Sequence, residues 1–184
     1  LDPKRTDSTY PYGHLSGCGV GFKLMQAFAI NNNIPMEKLF SLLDLLAVSI
    51  ASDIVPITGE NRVLMQYGLK RLNSNPSIGL KAIIDVCELK DKEITTSDIV
   101  FKIGPRINAS GRMSSGREAV ELLVAKDYVS AKEKSDLIDN YNKTRKDLDK
   151  QATDEAHREI LKLKNLGEKS SIVVYNQEWN KGVI

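Results

Sequence analysis

Cysteine is scarce in this sequence, and the two that occur form no framework. Cys18 and Cys87 are far apart and belong to neither a CxxC pair nor a zinc-ligand pattern. A disulfide-stapled secreted domain and a structural zinc site are therefore not indicated. The first five residues are mostly polar and show no signal-peptide pattern. We expect a cytoplasmic protein in a reducing compartment.

An excess of charge of one sign is also lacking. The chain has 26 Lys and Arg against 24 Asp and Glu, for a net charge of +2. The overall field does not attract a polyanion, so any phosphate binding must come from a local cluster of basic residues. With 41% apolar and 27% charged residues, the composition excludes a disordered or fibrous chain. Its 184 residues suffice for one domain, or for one domain and part of another.

The longest hydrophobic run covers residues 35–55 and predicts a helix that is apolar nearly all round. Asp44, Asp53 and three serines interrupt the run, which favours a buried core helix over a membrane span. Apolar spacing predicts four further helices in this part of the chain, at 21–31, 60–73, 77–89 and 97–103.

The C-terminal third has a different character. Capping-box patterns at 115–118 and 130–133 predict the starts of two helices. The second would run to Leu166, with Gly167 as its stop, over about 50 Å. Residues 171–184 read as a β-branched strand followed by a turn. A single strand cannot pair its own edges, so we expect the chain to be a piece of a longer protein in which the long helix joins two domains.

Asp53 is the most unusual carboxylate. It falls in the last turn of the apolar helix, where the helix dipole and the apolar surroundings both disfavour a negative charge. A positive group should face it, and Arg62, Arg106 or a metal ion are the candidates. Asp44 lies on the opposite helix face and is interpreted as structural. The alternative for Asp53 is a solvated or arginine-paired residue at a helix end.

The segment G-P-R-I-N-A-S-G-R, residues 104–112, predicts a phosphate-binding loop. Its opening glycine and proline are expected to break the preceding helix. In an extended segment, the alternate positions from Arg106 to Ser110 share one side. Arg106, Asn108 and Arg112 offer planar forks and an amide donor that suit phosphate oxygens. A surface loop with structural salt bridges is the alternative.

A glycine-rich stretch, G-C-G-V-G at 17–21, opens a helix but lacks the full GxGxxG spacing. A dinucleotide site is not favoured, while a phosphate at the helix N-terminus stays an alternative. His14 could reach a metal or phosphate, and Cys18 has no identifiable base nearby in sequence. The roles of both residues are left open.

Four blocks of the sequence, in order, resemble the RecJ family of single-strand-specific exonucleases in the DHH phosphoesterase superfamily. The resemblance covers essentially the whole chain, and its third block is the most specific. The blocks are H-L-S-G-C-G-V-G-F-K-L (14–24), A-S-D-I-V-P-I-T-G-E-N-R (51–62), G-P-R-I-N-A-S-G-R-M (104–113) and W-N-K-G-V-I (179–184).

The resemblance implies an α/β DHH-superfamily protein of which this chain is a mainly α-helical fragment, with a long interdomain helix and a terminal strand. It implies the later part of the DHH domain at 1–113, connecting helices at 114–166, and the start of the DHHA1 domain at 167–184. The amino-terminal aspartate motifs, the Asp-His-His motif and the glycine-histidine motif are absent. Asn180 stands where the family often has histidine. We therefore expect the fragment alone not to hydrolyse DNA.

The resemblance also implies a chemistry. RecJ enzymes degrade single-stranded DNA from the 5′ end with Mn²⁺ or Mg²⁺, in DNA repair and recombination. Asp53 matches a metal-ligating aspartate in an A-D-x-x-P motif. Arg106, Asn108 and Arg112 match an arginine-asparagine motif that contacts the scissile or a neighbouring phosphate.

We expect a monomer with no membrane association, whose partners are single-stranded DNA and repair or recombination proteins. Two other functions stay open. One is a phosphodiesterase for short oligonucleotides or cyclic dinucleotides, and the other is a non-catalytic nucleic-acid-binding DHH module.

Overall fold

A computed structural model describes residues 2–163, 167 and 169–184, and the regular secondary structure among them is helical. The helices are α1 (Gly17–Asn31), α2 (Glu37–Phe40), α3 (Leu43–Ser52), α4 (Gly59–Ser74), α5 (Ile78–Val86), α6 (Thr96–Asp98), a π-helical turn (Ile99–Ile103), α7 (Gly104–Met113), α8 (Gly116–Leu123) and α9 (Tyr128–Leu161). The prediction of a mainly helical chain with a long helix is confirmed.

The predicted helix 35–55 is interrupted, and its longer part is the core helix α3. The break falls at Ser41, whose hydroxyl donates a 2.7 Å hydrogen bond to the Lys38 carbonyl and competes with the helical pattern. Leu46 and Ile50 of α3 are completely buried, as expected for a core helix. No helix in the described ranges is long and apolar enough to cross a membrane.

Helix α3 packs closely against α4, and a glycine makes the approach possible. A Cβ placed on Gly68 would lie 2.3 Å from the Leu43 carbonyl oxygen and 2.5 Å from the Ala47 Cβ. Asp44 is fully buried here and accepts a 2.6 Å hydrogen bond from the backbone N–H of Ser77. Its interpretation as a structural residue is consistent with this contact, which ties α3 to the start of α5.

The segment 104–112 is a helix, so the prediction of an extended loop is wrong. The backbone N–H of Gly104 bonds to the Ile99 carbonyl across the π-helical turn, and α7 follows without a break. Pro105 lies in the first turn of α7, where its lack of an N–H costs no hydrogen bond within the helix. The wider π turn lets the chain pass the proline and stay helical.

Helices α8 and α9 complete the described helical part of the chain. Ser115 caps α8 as predicted, although it accepts from the N–H of Arg117. The start of α9 is capped by Asp127 through the N–H of Ser130, so the capping box predicted at 130–133 is wrong. Its 34 residues span about 50 Å. The predicted helix end at Leu166 lies outside the described residues.

The predicted terminal strand does not form within the described residues. Residues 171–176 have no regular secondary structure and no strand partner in the described part of the chain, and Val173 and Tyr175 are largely exposed. A β-branched run is assigned as a strand only when another strand satisfies its backbone groups.

Candidate functional site

Asp53 lies where the end of α3 meets the start of α1. Its carboxylate accepts a 3.1 Å hydrogen bond from Ser49 Oγ, which in turn lies 3.0 Å from Ser16 Oγ. Ser16 is the N-cap of α1 and accepts from the N–H of Gly19. The positive end of the α1 dipole therefore offsets the negative end of α3. The exposed Asp53 has no cationic partner among the described ion pairs.

The turn after Asp53 is held rigidly. Ile54 has a φ of 53°, a left-handed conformation that costs a β-branched residue about 1–2 kcal/mol. Buried Asn61 donates from Nδ2 to the carbonyls of His14, at 2.7 Å, and Pro56, at 3.0 Å. The Asp53 carboxylate thus lies at the start of a turn that Asn61 links by hydrogen bonds to the segment before α1.

The two residues left open by sequence both lie near this turn. The ring of His14 packs edge-on against Tyr12, with 5.6 Å between ring centroids. Partial burial, followed by the Asp53 carboxylate, raises the pKa of the Cys18 thiol. Within the described ranges, no group of three His, Cys, Asp or Glu side chains is placed to hold a metal ion.

Helix α7 separates the three residues that sequence had grouped. Asn108 and Arg112 are one turn apart and both exposed, so they share a face. Arg106 is two residues before Asn108, which corresponds to about 200° around the helix. The expectation that Arg106 and Asn108 lie on one side of an extended segment is therefore wrong.

Arg106 faces α9. Its Nε donates to Asp139 Oδ1 at 2.8 Å and its Nη1 to the Lys102 carbonyl at 2.9 Å. Lys143 also contacts Asp139, at 2.8 Å. Burial favours a higher pKa for Asp139, but the hydrogen bonds from Lys143 and Arg106 outweigh it and hold the pKa below its ordinary value. This cluster joins the two helices electrostatically.

A close helix contact places the start of α7 against the end of α3. A Cβ on Gly104 would lie 2.6 Å from the hydroxyl oxygen of Ser52, the residue directly before Asp53. Asn108 and Arg112 follow Gly104 by one and two turns, about 6 and 12 Å along the axis. The first residue of α7 therefore lies beside Ser52, which directly precedes the exposed Asp53.

The last residues of the chain contact the end of α7 at Arg112. Arg112 Nη1 donates to the Gly182 carbonyl at 3.2 Å. Trp179 Nε1 donates to Glu155 Oε2 of α9 at 2.8 Å. Sequence reasoning missed both contacts, since their partners are 70 and 24 residues apart. The turn that sequence predicted in the second part of 171–184 is present here, where the N-K-G tripeptide at 180–182 carries a turn signal.

Exposed arginine and amide donors, together with an exposed carboxylate that suits a divalent cation, are features of phosphate-handling proteins. Comparison with known proteins indicates which phosphate-handling proteins this chain is similar to. All of the chain matches a part of the single-stranded-DNA-specific exonuclease RecJ of Bacillus subtilis, at 37% identity over 184 residues. RecJ of Escherichia coli matches at 30% over 196 residues. The chain spans 22% and 34% of these two relatives. No protein-family model matches the chain.

Solved structures agree. A manganese-bound RecJ exonuclease superposes with a TM-score of 0.80 at 26% identity, covering 95% of this chain and 43% of the other. The Mg²⁺ complex of RecJ from Thermus thermophilus gives 0.78 at 26% identity, over 98% of this chain and 27% of the other. The chain is therefore homologous to a segment of RecJ, and the resemblance found in the sequence is confirmed.

Metal ions are present in both of these relatives. Asp53 offers an exposed carboxylate, and carboxylate oxygens are the donors that Mg²⁺ and Mn²⁺ prefer. Among the described residues, the Asp53 carboxylate accepts only from the Ser49 hydroxyl, and its second oxygen carries no hydrogen bond.

Proposed function

We propose that this chain forms part of the catalytic cleft of a RecJ-like exonuclease that hydrolyses single-stranded DNA from its 5′ end. The observation that carries the proposal is the match of the whole chain to RecJ in both sequence and fold. The proposed activity belongs to a full-length protein that contains this segment, and the segment alone is not expected to hydrolyse DNA.

In this proposal Asp53 is one ligand of a Mn²⁺ or Mg²⁺ site completed by residues outside this chain. A bound divalent cation supplies water activation and charge stabilisation for phosphodiester hydrolysis. The hydroxyl of Ser49 and the tied turn hold the carboxylate in place before the ion binds. Preorganisation of this kind avoids ordering cost at the moment of binding.

The α7 face would hold the substrate. Asn108 and Arg112 are exposed and directed to the same side, so they can donate to a phosphate and offset charge that develops on it. Arg106 also belongs to the proposal. Two of its nitrogens already have protein acceptors, so its phosphate contact would come from Nη2.

The domain limits are part of the same proposal. Residues 1–113 would form the later part of the DHH domain, 114–166 would form the helices that connect it to DHHA1, and 167–184 would form the first part of DHHA1. The long α9 would then separate the two domains, so that a single strand of DNA could pass between them. Repair and recombination proteins as partners, and a monomeric state, remain predictions.

The test is substitution of Asp53 in the full-length protein. Asp53→Ala and Asp53→Asn should abolish Mn²⁺-dependent cleavage of a 5′-phosphorylated strand, because a ligand is lost. Glu133→Gln removes an exposed carboxylate on α9 and serves as the matched control, with activity expected near wild type. Wild-type turnover by Asp53→Ala would contradict the assignment.

A non-catalytic binding module is the second candidate, favoured by the lack of a grouped ligand set in the described ranges. It predicts salt-sensitive binding of single strands without metal-dependent cleavage. A small-substrate phosphodiesterase is the third, and it would cleave a dinucleotide better than a long strand. Comparing these substrates, with binding measured in parallel, separates the three functions.

A further inference from the structure

The last residues of the chain form a compact double turn over α9 and the end of α7. Asn176 Oδ1 accepts from the N–H of Glu178, at 2.9 Å, and Asn180 Oδ1 accepts from the N–H of Gly182, at 2.8 Å. We call residues 176–183 the docked turn. Each half is closed by an asparagine side chain, so the backbone has a defined course despite its surface position.

Three side chains of the docked turn contact α9, and one of them is Asn176, whose Nδ2 donates to Glu155 Oε2 at 3.4 Å. The indole N–H of Trp179 donates to Glu155 at 2.8 Å, a charge-assisted bond of the stronger kind. Val183 is buried and lines the same crevice as Leu148 and Ala152 of α9. The turn is therefore attached by two hydrogen bonds to one carboxylate, the shorter from Trp179, and by one apolar contact.

The docked turn reaches the end of α7 at one point. A Cβ on Gly182 would lie 2.4 Å from the Arg112 carbonyl oxygen, so only glycine allows this approach. The Gly182 carbonyl accepts from Arg112 Nη1 at 3.2 Å. The contact orients an exposed arginine side chain and leaves its other N–H donors for a ligand.

We propose that Trp179 and Gly182 are positioning residues for Arg112: the docked turn, anchored on Glu155, holds the guanidinium in the orientation that receives a substrate phosphate. This inference rests on the proposed function of Arg112. Ordering a free arginine side chain carries a large entropic cost, which the docked turn removes before the substrate arrives.

The test uses the full-length protein with Trp179→Phe, which keeps an aromatic ring but removes the donor, and Gly182→Ala, which blocks the approach. Each should lower kcat/KM for a 5′-phosphorylated strand on the order of tenfold, mainly through KM. In an Arg112→Ala background, neither should have a further effect, because both act through Arg112. Glu155→Gln retains an acceptor and should preserve activity better than Glu155→Ala.

A second measurement follows the contact itself. Trp179 is the single tryptophan of these 184 residues, and in the full-length protein the difference between the wild-type and Trp179→Phe spectra isolates its emission, which reports on the docked turn. Glu155→Ala should shift the emission to the red as the indole loses its partner. Gly116→Ala is the control, since a Cβ there meets nothing within 4 Å, and it should change neither readout.

The outcomes separate the two claims. If Arg112→Ala impairs cleavage but the Trp179 and Gly182 variants do not, or if their effects persist without Arg112, the positioning role is overturned and the phosphate-binding role stands. If Arg112→Ala cleaves like wild type, the proposed role of Arg112 fails, and the positioning role fails with it.

Discussion

Arg106 offers the sharpest test, because sequence assigned it to substrate while the structure gives it a partner inside the protein. Replacing Arg106 by Ala removes the 2.8 Å contact to Asp139 and the bond to the Lys102 carbonyl. The Arg106 side chain is 18% exposed and that of Asp139 10%, so the pair is close to buried. Breaking a buried pair costs about 3–5 kcal/mol.

Lys143 moderates this cost. It stays 2.8 Å from Asp139 and keeps that carboxylate partly neutralised. We therefore expect Arg106→Ala to lower the free energy of unfolding by about 2 kcal/mol, between the values for exposed and buried pairs. Urea unfolding followed by circular dichroism at 222 nm measures it.

The design includes a cycle and a control. Asp139→Asn alone and combined with Arg106→Ala gives the coupling between the two side chains, which should be at least about 1 kcal/mol. Arg117→Ala breaks a solvent-exposed pair with Glu121 and should have little effect. An Arg106→Ala protein as stable as the Arg117→Ala protein would refute the structural role. Loss of cleavage could then be attributed to lost substrate contact.

Three further predictions follow from the packing and the titrating groups. Gly68→Ala should lower the free energy of unfolding by about 1–3 kcal/mol, because its Cβ would meet the Leu43 carbonyl at 2.3 Å. Gly21→Ala is the control: its Cβ meets open space, so it should stabilise α1 slightly, and urea unfolding compares the two variants. The pKa of Asp139 is lowered in the folded state, so its contribution to stability is present above about pH 4 and is lost as pH falls through the lowered pKa. The free energy of unfolding should therefore change less with pH in Asp139→Asn than in the wild type, and equal pH dependence would contradict this. The pKa is raised at both thiols, to about 11 at Cys87, but Cys87 is buried and Cys18 is exposed, so a thiol reagent at pH 8 should modify Cys18 first. Equal rates in native protein would count against the packing of Cys87.

Much of the helical layout could be predicted from periodicity. The apolar spacing of α1, α4 and α5 describes a surface that is buried on one side, and such patterns are local. Asp53 was correctly placed at the end of its helix because an aspartate after an apolar run is visible without tertiary contacts. The blocks around it carried the resemblance to RecJ.

The failures have a common cause. Gly104 and Pro105 are helix breakers by propensity, yet the π-helical turn before them accommodates the proline. The strand predicted near Val173 requires a neighbouring strand, which the described residues do not supply. In both cases local preference was overruled by what surrounds the segment.

The sequence by itself determined that the chain is helical, that Asp53 terminates a core helix, and that its motifs follow those of RecJ, because these properties depend on residue order and short-range spacing. Only the tertiary structure decided which of the three α7 side chains face outward. Asn108 and Arg112 share the exposed face, while Arg106 turns to Asp139, 33 residues away. A helix assigns its side chains to faces by rotation, and which face meets solvent depends on the helix that packs against it.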